Sequence, residues 1–388
     1  MKHLYSLLFG LLSLVAILAT LTNAQGLSEQ VSETADIHSP LIASYLRDLE
    51  EQGYCVIPQV LSSSETERLY QRVWHEFIEK AWPNCRMDDR SNWKETFPIH
   101  NKLGIFAGPS GQTQVMWDLR QDPRIVDIFG QIWNTSDLIV SMDGMSIMCP
   151  SEIREEYFPP WPHVDQEINK RQDGIMHNNL PPVDFVSESS LKTQPFTIQG
   201  QFLFEDSFDG DGGFFCIPKS HLRFEEFSPV LEALGEVDIP RSERAKIRDE
   251  YLRDLFANHC DENPDSYPMK HVTAPRGSLI LWDSRTIHWN QHPKKNRPLN
   301  ECPKVRMVGY LCYVPKKRMS DKSKVLRLKA FEEGVSTGHN PAQFDLKYTH
   351  DHIWKEYKQY VEDPNYIQPK IYLTPLGKSL LGLESVVN

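Results

Sequence analysis

Three side chains have the types and spacing to hold a metal: His163 and Asp165 in Trp161-Pro162-His163-Val164-Asp165-Gln166, and His288 in Trp282-Asp283-Ser284-Arg285-Thr286-Ile287-His288-Trp289. In an extended segment residues i and i+2 point to one face, so His163 and Asp165 can grip the same ion while Val164 faces away. A histidine from a distant strand completes two imidazoles and one carboxylate on one face of an octahedron. Three adjacent positions are left for a bidentate co-substrate and dioxygen, as non-haem Fe(II) oxygenases require. The spacing alone is weak in a chain with 14 histidines and 53 acids. His259-Cys260-Asp261 repeats it, but after a helical, highly charged run where i and i+2 diverge. His350-Asp351-His352 reads as a polar stretch opening a late helix.

A second group suits an acid. In Phe196 to Glu205 one face carries Phe196, Ile198, Phe202 and Phe204, and the other carries Thr197, Gln199 and Gln201. Two glutamines on an otherwise apolar strand line either a polar cavity or an exposed stripe. In Val305 to Tyr313, Arg306 shares a face with Val308, Tyr310 and Cys312. A guanidinium fork matches a carboxylate bidentately, which makes Arg306 the natural anchor for the far end of a dicarboxylate. Arg297, in the Lys294-Lys295-Asn296-Arg297-Pro298 loop, is its rival.

These groups need strands to hold them. Short apolar or alternating runs at 138–141, 196–205, 214–217, 278–282 and 305–314, punctuated by Gly and Pro, predict a β-sandwich or barrel. Gly210-Asp211-Gly212-Gly213 reads as a hairpin turn. Before these runs, 42–51 predicts a helix and 54–58 a strand, and Ser62 or Ser64 caps a second helix through a Ser-x-x-Glu spacing. Segments 242–259 and 342–360 also read as helical. No internal repeat divides the chain, so 41–330 is expected to form one domain after a flexible lead-in at 25–40, with 331–388 as a helical extension packed upon it. Tyr372-Leu373-Thr374-Pro375-Leu376-Gly377 reads as a chain-end packing segment.

Residues 1–24 have a basic start, an apolar run from Leu4 to Leu21, and small residues at Thr22 and Ala24. This is the layout of a signal peptide cleaved before Gln25; the alternative is a retained signal anchor. Either implies the secretory pathway, with the protein secreted or held in the lumen of the endoplasmic reticulum or another organelle. No other stretch is apolar enough to span a membrane. In that setting Asn134-Thr135-Ser136 is a glycosylation sequon. The chain carries 42 basic against 53 acidic residues among 388, a net charge of −11, which becomes −12 without the leader. Such acidity excludes a nucleic-acid partner, which needs a basic face. Seven cysteines without C-x-x-C pairing indicate neither a zinc knot nor a dense disulfide framework.

Together the motifs resemble the phytanoyl-CoA dioxygenase-like family of Fe(II)- and 2-oxoglutarate-dependent oxygenases. The resemblance runs from about Tyr45 to Val314. It rests on Gly53-Tyr54-Cys55-Val56-Ile57-Pro58, the His163-x-Asp165 pair, the turn from Gly212 to His221, the Gly277 to His288 strand and Arg306. It implies a mainly β fold with flanking helices, the cupin-like double-stranded β-helix or jelly roll. It also implies Fe(II) on His163, Asp165 and His288, with the far carboxylate of 2-oxoglutarate on Arg306 and Gln199 or Gln201 lining the co-substrate pocket. The implied activity couples 2-oxoglutarate decarboxylation, with dioxygen, to hydroxylation of a small-molecule or lipid-like substrate; succinate and CO2 are released and ascorbate supports turnover. Asp165 argues against a halogenase, where a small residue frees that position for halide. The other readings are a jelly-roll metalloprotein with non-oxidative chemistry and a secreted, non-catalytic ligand-binding protein.

Overall fold

A computed structural model describes residues 40–97, 104–106, 108–151, 153, 160–166, 196–256, 269–294, 305–342 and 370–383. The leader, Arg297, Cys302, the His259-Cys260-Asp261 and His350-Asp351-His352 stretches and nearly all of the helix expected at 342–360 lie outside the described residues. The chain divides into Met1–Tyr45 and Leu46–Asn388, and the elements described below belong to the second unit.

Ten strands are described: β1 (Tyr54–Ile57), β2 (Ile105–Phe106), β3 (Leu138–Val140), β4 (Met145–Met148), β5 (Ile198–Leu203), β6 (Gly213–Cys216), β7 (Lys270–Val272), β8 (Leu279–Asp283), β9 (His288–Gln291) and β10 (Arg306–Pro315). The larger sheet runs β1-β8-β5-β10-β4-β2, with β3 also paired to β10, and the smaller runs β7-β6-β9. His163 adds an antiparallel bridge to His288 at the free side of β9. From β4 onward the chain alternates between sheets: β4 large, His163 small, β5 large, β6 and β7 small, β8 large, β9 small, β10 large. That antiparallel alternation is the double-stranded β-helix, or jelly roll.

The central strands β5, β8 and β10 are buried along their whole length. Their outer face packs against helices α1 (Gln114–Arg120) and α2 (Pro123–Trp133). Phe129 of α2 lies 4.5 Å from the Tyr313 ring, centroid to centroid. Gly200 and Gly309 leave flat spots under Leu281 and Met116; a Cβ would stand 2.9 Å from Leu281 Cδ2 at the first and 2.8 Å from Met116 Sδ at the second. Asp122 caps α2 with Pro123 behind it, and exposed Asn134 ends the helix in the left-handed conformation. Of the two serines expected to cap the earlier helix at Ser63–Val73, Ser62 does so: its Oγ accepts from Glu65 N, and Glu65 Oε2 accepts from Ser62 N.

After β10, helix α3 (Asp321–Glu332) presents Arg327, which is fully buried. Its guanidinium donates to the carbonyls of Val140, Pro341, Leu380 and Leu381. Those bonds tie the chain-end helix Pro375–Leu381 to the large sheet. Among the described residues no helix is long and apolar enough to cross a membrane. Cys55, Cys85, Cys149, Cys216 and Cys312 are all free thiols.

One expected element is drawn differently. The run from Gly277 to His288, expected as one strand, is two. β8 ends at Asp283, a tight turn follows, and His288 opens β9 in the other sheet. Asp283 causes the break: its carboxylate accepts from Arg285 N at 2.8 Å and from the Arg285 guanidinium at 2.9 and 2.6 Å. The chain is thereby folded over, and Thr286 Oγ1 donates to Gly53 O at 2.8 Å.

Candidate metal centre

The turn after β8 positions the cluster. Ser284 O accepts from Asp165 N at 3.1 Å, and Ser284 Oγ donates to Gln166 Oε1 at 2.8 Å. His163 and His288 bond to each other through the backbone: each N–H donates to the other's carbonyl, at 3.1 and 2.9 Å. The side chains of His163, Asp165 and His288 offer ligand atoms within 4.8 Å of one another. His163 Nε2 stands 3.6 Å from Asp165 Oδ1, and His288 Nε2 stands 3.2 Å from Asp165 Oδ2. Cis ligands with bonds of about 2.1 Å sit about 3 Å apart, so a divalent transition metal fits between them.

Both rings are oriented for that task. Nδ1 of His163 lies 3.2 Å from Trp161 O and Nδ1 of His288 lies 2.9 Å from Thr286 O. With Nδ1–H donating to those carbonyls, each Nε2 keeps its lone pair toward the cluster. The Trp161 indole stacks on the His163 ring at 4.2 Å, and the His288 ring packs against both Phe214 and Trp282, at 5.5 and 5.3 Å. Burial, with His288 beside it, pushes His163 down to about 3, so this imidazole stays neutral. Burial disfavours ionised Asp165, yet His339, His163 and His288 hold its carboxyl well below the usual range.

The second group lies deeper, between the sheets. Arg306 is 5% exposed, and its partners among the described residues are neutral. Nη1 donates to Ser146 Oγ at 2.6 Å, and Nη2 donates to Asn290 Oδ1 at 2.7 Å and Gln201 Oε1 at 3.2 Å. Burial pulls this guanidinium below its ordinary value, which is the environment of a cation waiting for an anion. Asn290 Nδ2 donates in turn to Tyr310 Oη at 2.9 Å. His288 and Asn290 stand two residues apart on β9, so one face of one strand joins the metal cluster to the arginine, roughly 7 Å further in.

Gln199 lies two residues before Gln201 on β5, on the same face of the strand. It is 2% exposed and pairs in register with Trp282 and Cys312. Among the described residues neither its amide oxygen nor its amide nitrogen has a hydrogen-bond partner, and neither does Trp282 Nε1. Orphaned buried amides are rare, and this one is open to an ordered water or a polar ligand. Of the two glutamines named from sequence, Gln201 is occupied by Arg306 and Gln199 is open. Sequence reasoning did not single out Asn290, Ser146, Asp143 or His339. Asn290 had a signal, the i+2 spacing from His288 in a strand; the other three had none.

A jelly roll that gathers two histidines and a carboxylate beside a buried arginine with no acidic partner among the described residues has the architecture of non-haem iron oxygenases that take an acid co-substrate. The chain belongs to the phytanoyl-CoA dioxygenase (PhyH) family, whose model matches residues 49–289. It is a non-haem Fe(II)- and 2-oxoglutarate-dependent oxygenase. It is similar to the Ava biosynthesis cluster protein O of Aspergillus versicolor, at 24% identity over 309 residues covering 78% of this chain and 88% of the relative. Among solved structures it is similar to HygX from Streptomyces hygroscopicus with nickel and 2-oxoglutarate bound, at 14% identity and TM-score 0.40, covering 70% of this chain and 86% of HygX. It is likewise similar to the carbocyclase SnoK from nogalamycin biosynthesis, at 17% identity and TM-score 0.39, covering 72% and 85%.

Proposed function

We propose that the enzyme hydroxylates a C–H bond of a small-molecule or lipid-like substrate. In this reading His163, Asp165 and His288 hold Fe(II), and Arg306 pairs with the 5-carboxylate of 2-oxoglutarate. The observation that carries it is the buried Arg306, which has no acidic partner among the described residues and is joined through Asn290 to the strand that begins with His288. A non-oxidative metalloprotein has no use for such a cation. Gln199 supports the reading, since its unpaired amide can donate to the co-substrate and accept from a water beside it. When bound, iron and 2-oxoglutarate supply the oxidising power with dioxygen, yielding succinate and CO2. The residues do the rest. The Nδ1–H bonds fix both imidazoles, Trp161 and Phe214 shield them from water, and Ser146, Gln201 and Asn290 aim the guanidinium. Kinship with a biosynthesis-cluster protein supports a small-molecule substrate. The leader composition supports a secretory location, checked by finding Gln25 as the N-terminus of the exported protein.

The test is succinate release by the purified protein with Fe(II), ascorbate and 2-oxoglutarate, followed by mass spectrometry of a substrate panel for a gain of one oxygen. Absence of both 2-oxoglutarate binding and succinate would overturn the reading.

A further inference from the structure

The strap after α3 brings a third imidazole to the cluster. Gly334, at φ +67°, turns the chain out of α3, with its N–H on Phe331 O and Val335 N on Ala330 O. The strap is then clamped over the sheet: Gln112 Nε2 donates to Val335 O, Thr337 N donates to Met142 O, and Met142 N donates to Thr337 Oγ1. Two residues on, His339 meets Asp143, with Nδ1 2.6 Å from Asp143 Oδ2. Asp143 is itself buried and fixed, its Oδ1 accepting from Gly144 N. The opposite nitrogen, His339 Nε2, stands 3.7 Å from Asp165 Oδ2, the oxygen that also faces His288. The ring packs edge-on to Tyr310 at 6.4 Å, while its outer side stays open, the side chain being 47% exposed.

The Asp165 carboxylate thus has three imidazole neighbours. Two keep their Nε2 lone pairs for a metal, which leaves His339 as the carboxylate's own partner. Metal-ligating carboxylates need such partners, which fix their orientation and tune the metal. We propose that His339, oriented by Asp143, is a positioning residue that holds Asp165 as a metal ligand, so that the C-terminal strap completes the metal site. The inference rests on the reading of His163, Asp165 and His288 as ligands.

The experiment titrates Co(II) into metal-free full-length protein, reading affinity by calorimetry and ligand geometry by d–d absorption, with thermal melts of the metal-free forms alongside. His339→Ala is expected to weaken Co(II) binding by ~10- to 100-fold and to alter the spectrum. Its metal-free melting temperature should stay at the parent value. His339→Gln, whose amide nitrogen can reach where Nε2 stands, should recover most of the affinity, and Asp143→Asn should fall between. Should His339→Ala not fold, Asp143→Asn decides by the same shift. Parent-like affinity and spectrum in the variants overturn the proposal. If the parent and His163→Ala bind Co(II) equally, the ligand assignment itself fails, and the proposal with it.

Discussion

Residues 49–289, the part that the family model matches, carry His163, Asp165 and His288, whereas the chain beyond 305 carries Arg306 and His339. The first region builds its cluster from backbone proximity: a two-way bridge between His163 and His288, and a turn at Ser284 that catches Asp165. The second reaches the same cavity through long side chains held by neutral partners, Ser146, Gln201 and Asn290 for Arg306, and by the Asp143 carboxylate for His339. A metal demands fixed distances to a few tenths of an ångström, which backbone pairing supplies. A carboxylate anchor needs only a fork of donors at the right depth, which a side chain on a neighbouring strand supplies.

The largest expected effect separates the two regions directly. His163→Ala should lose bound iron and with it 2-oxoglutarate-dependent succinate release. Arg306→Ala should keep iron, measured by metal analysis, while 2-oxoglutarate binding weakens ~100-fold, about 3 kcal/mol for a lost charge-assisted pair. Equal iron loss in both variants would erase the distinction.

A smaller effect sharpens it. Gln199→Leu removes a buried amide that has no partner among the described residues, so the ligand-free protein should gain about 1 kcal/mol in denaturant unfolding. The same change should weaken 2-oxoglutarate by several-fold, about 1 kcal/mol, with iron content unchanged. Loss of stability in the Gln199→Leu variant would mean that the amide is satisfied in solution and not reserved for a ligand.

The smallest effect belongs to neither end. The hydrogen bond from Arg124, then that from Ser62, holds Glu65 down at about 2 from an ordinary 4.5. A depressed carboxylate contributes stability above its unfolded value and loses it as pH falls through the folded one. The stability gap between the parent and Glu65→Gln should therefore be full above about pH 4.5 and shrink toward pH 2, in melts followed by circular dichroism. Iron and 2-oxoglutarate binding at neutral pH should not change.

How much of this was legible differs by kind of signal. The His163-x-Asp165 pair, the polar face of Gln199 and Gln201, and the face shared by Arg306, Val308 and Tyr310 follow from the two-residue strand period, and each side chain faces as that period requires. The end of the apolar run at Trp282 was legible, but the passage of His288 to the other sheet was not, because Asp283-Ser284-Arg285-Thr286 marks no particular turn by itself; an Asp283–Arg285 side-chain contact folds it. Helices α1 and α2 were not named from the sequence, although Ile125, Val126, Ile128, Phe129, Ile132 and Trp133 recur at helical spacing behind the Asp122-Pro123 start, whereas the Asp143–His339 pair spans 196 residues with no local mark.

Residue chemistry and alternation, which are local, were enough for a β-sandwich or barrel, the three candidate ligands and the anchoring arginine, while the jelly roll itself came from the family resemblance. Only tertiary structure decided that His288 opens a strand of the small sheet, that Gln201 is spent on Arg306 while Gln199 is open, and that His339 reaches Asp165. Each of these depends on which strands lie side by side and how far apart they stand. Sheet pairing sets both, and no residue's own preference contains them.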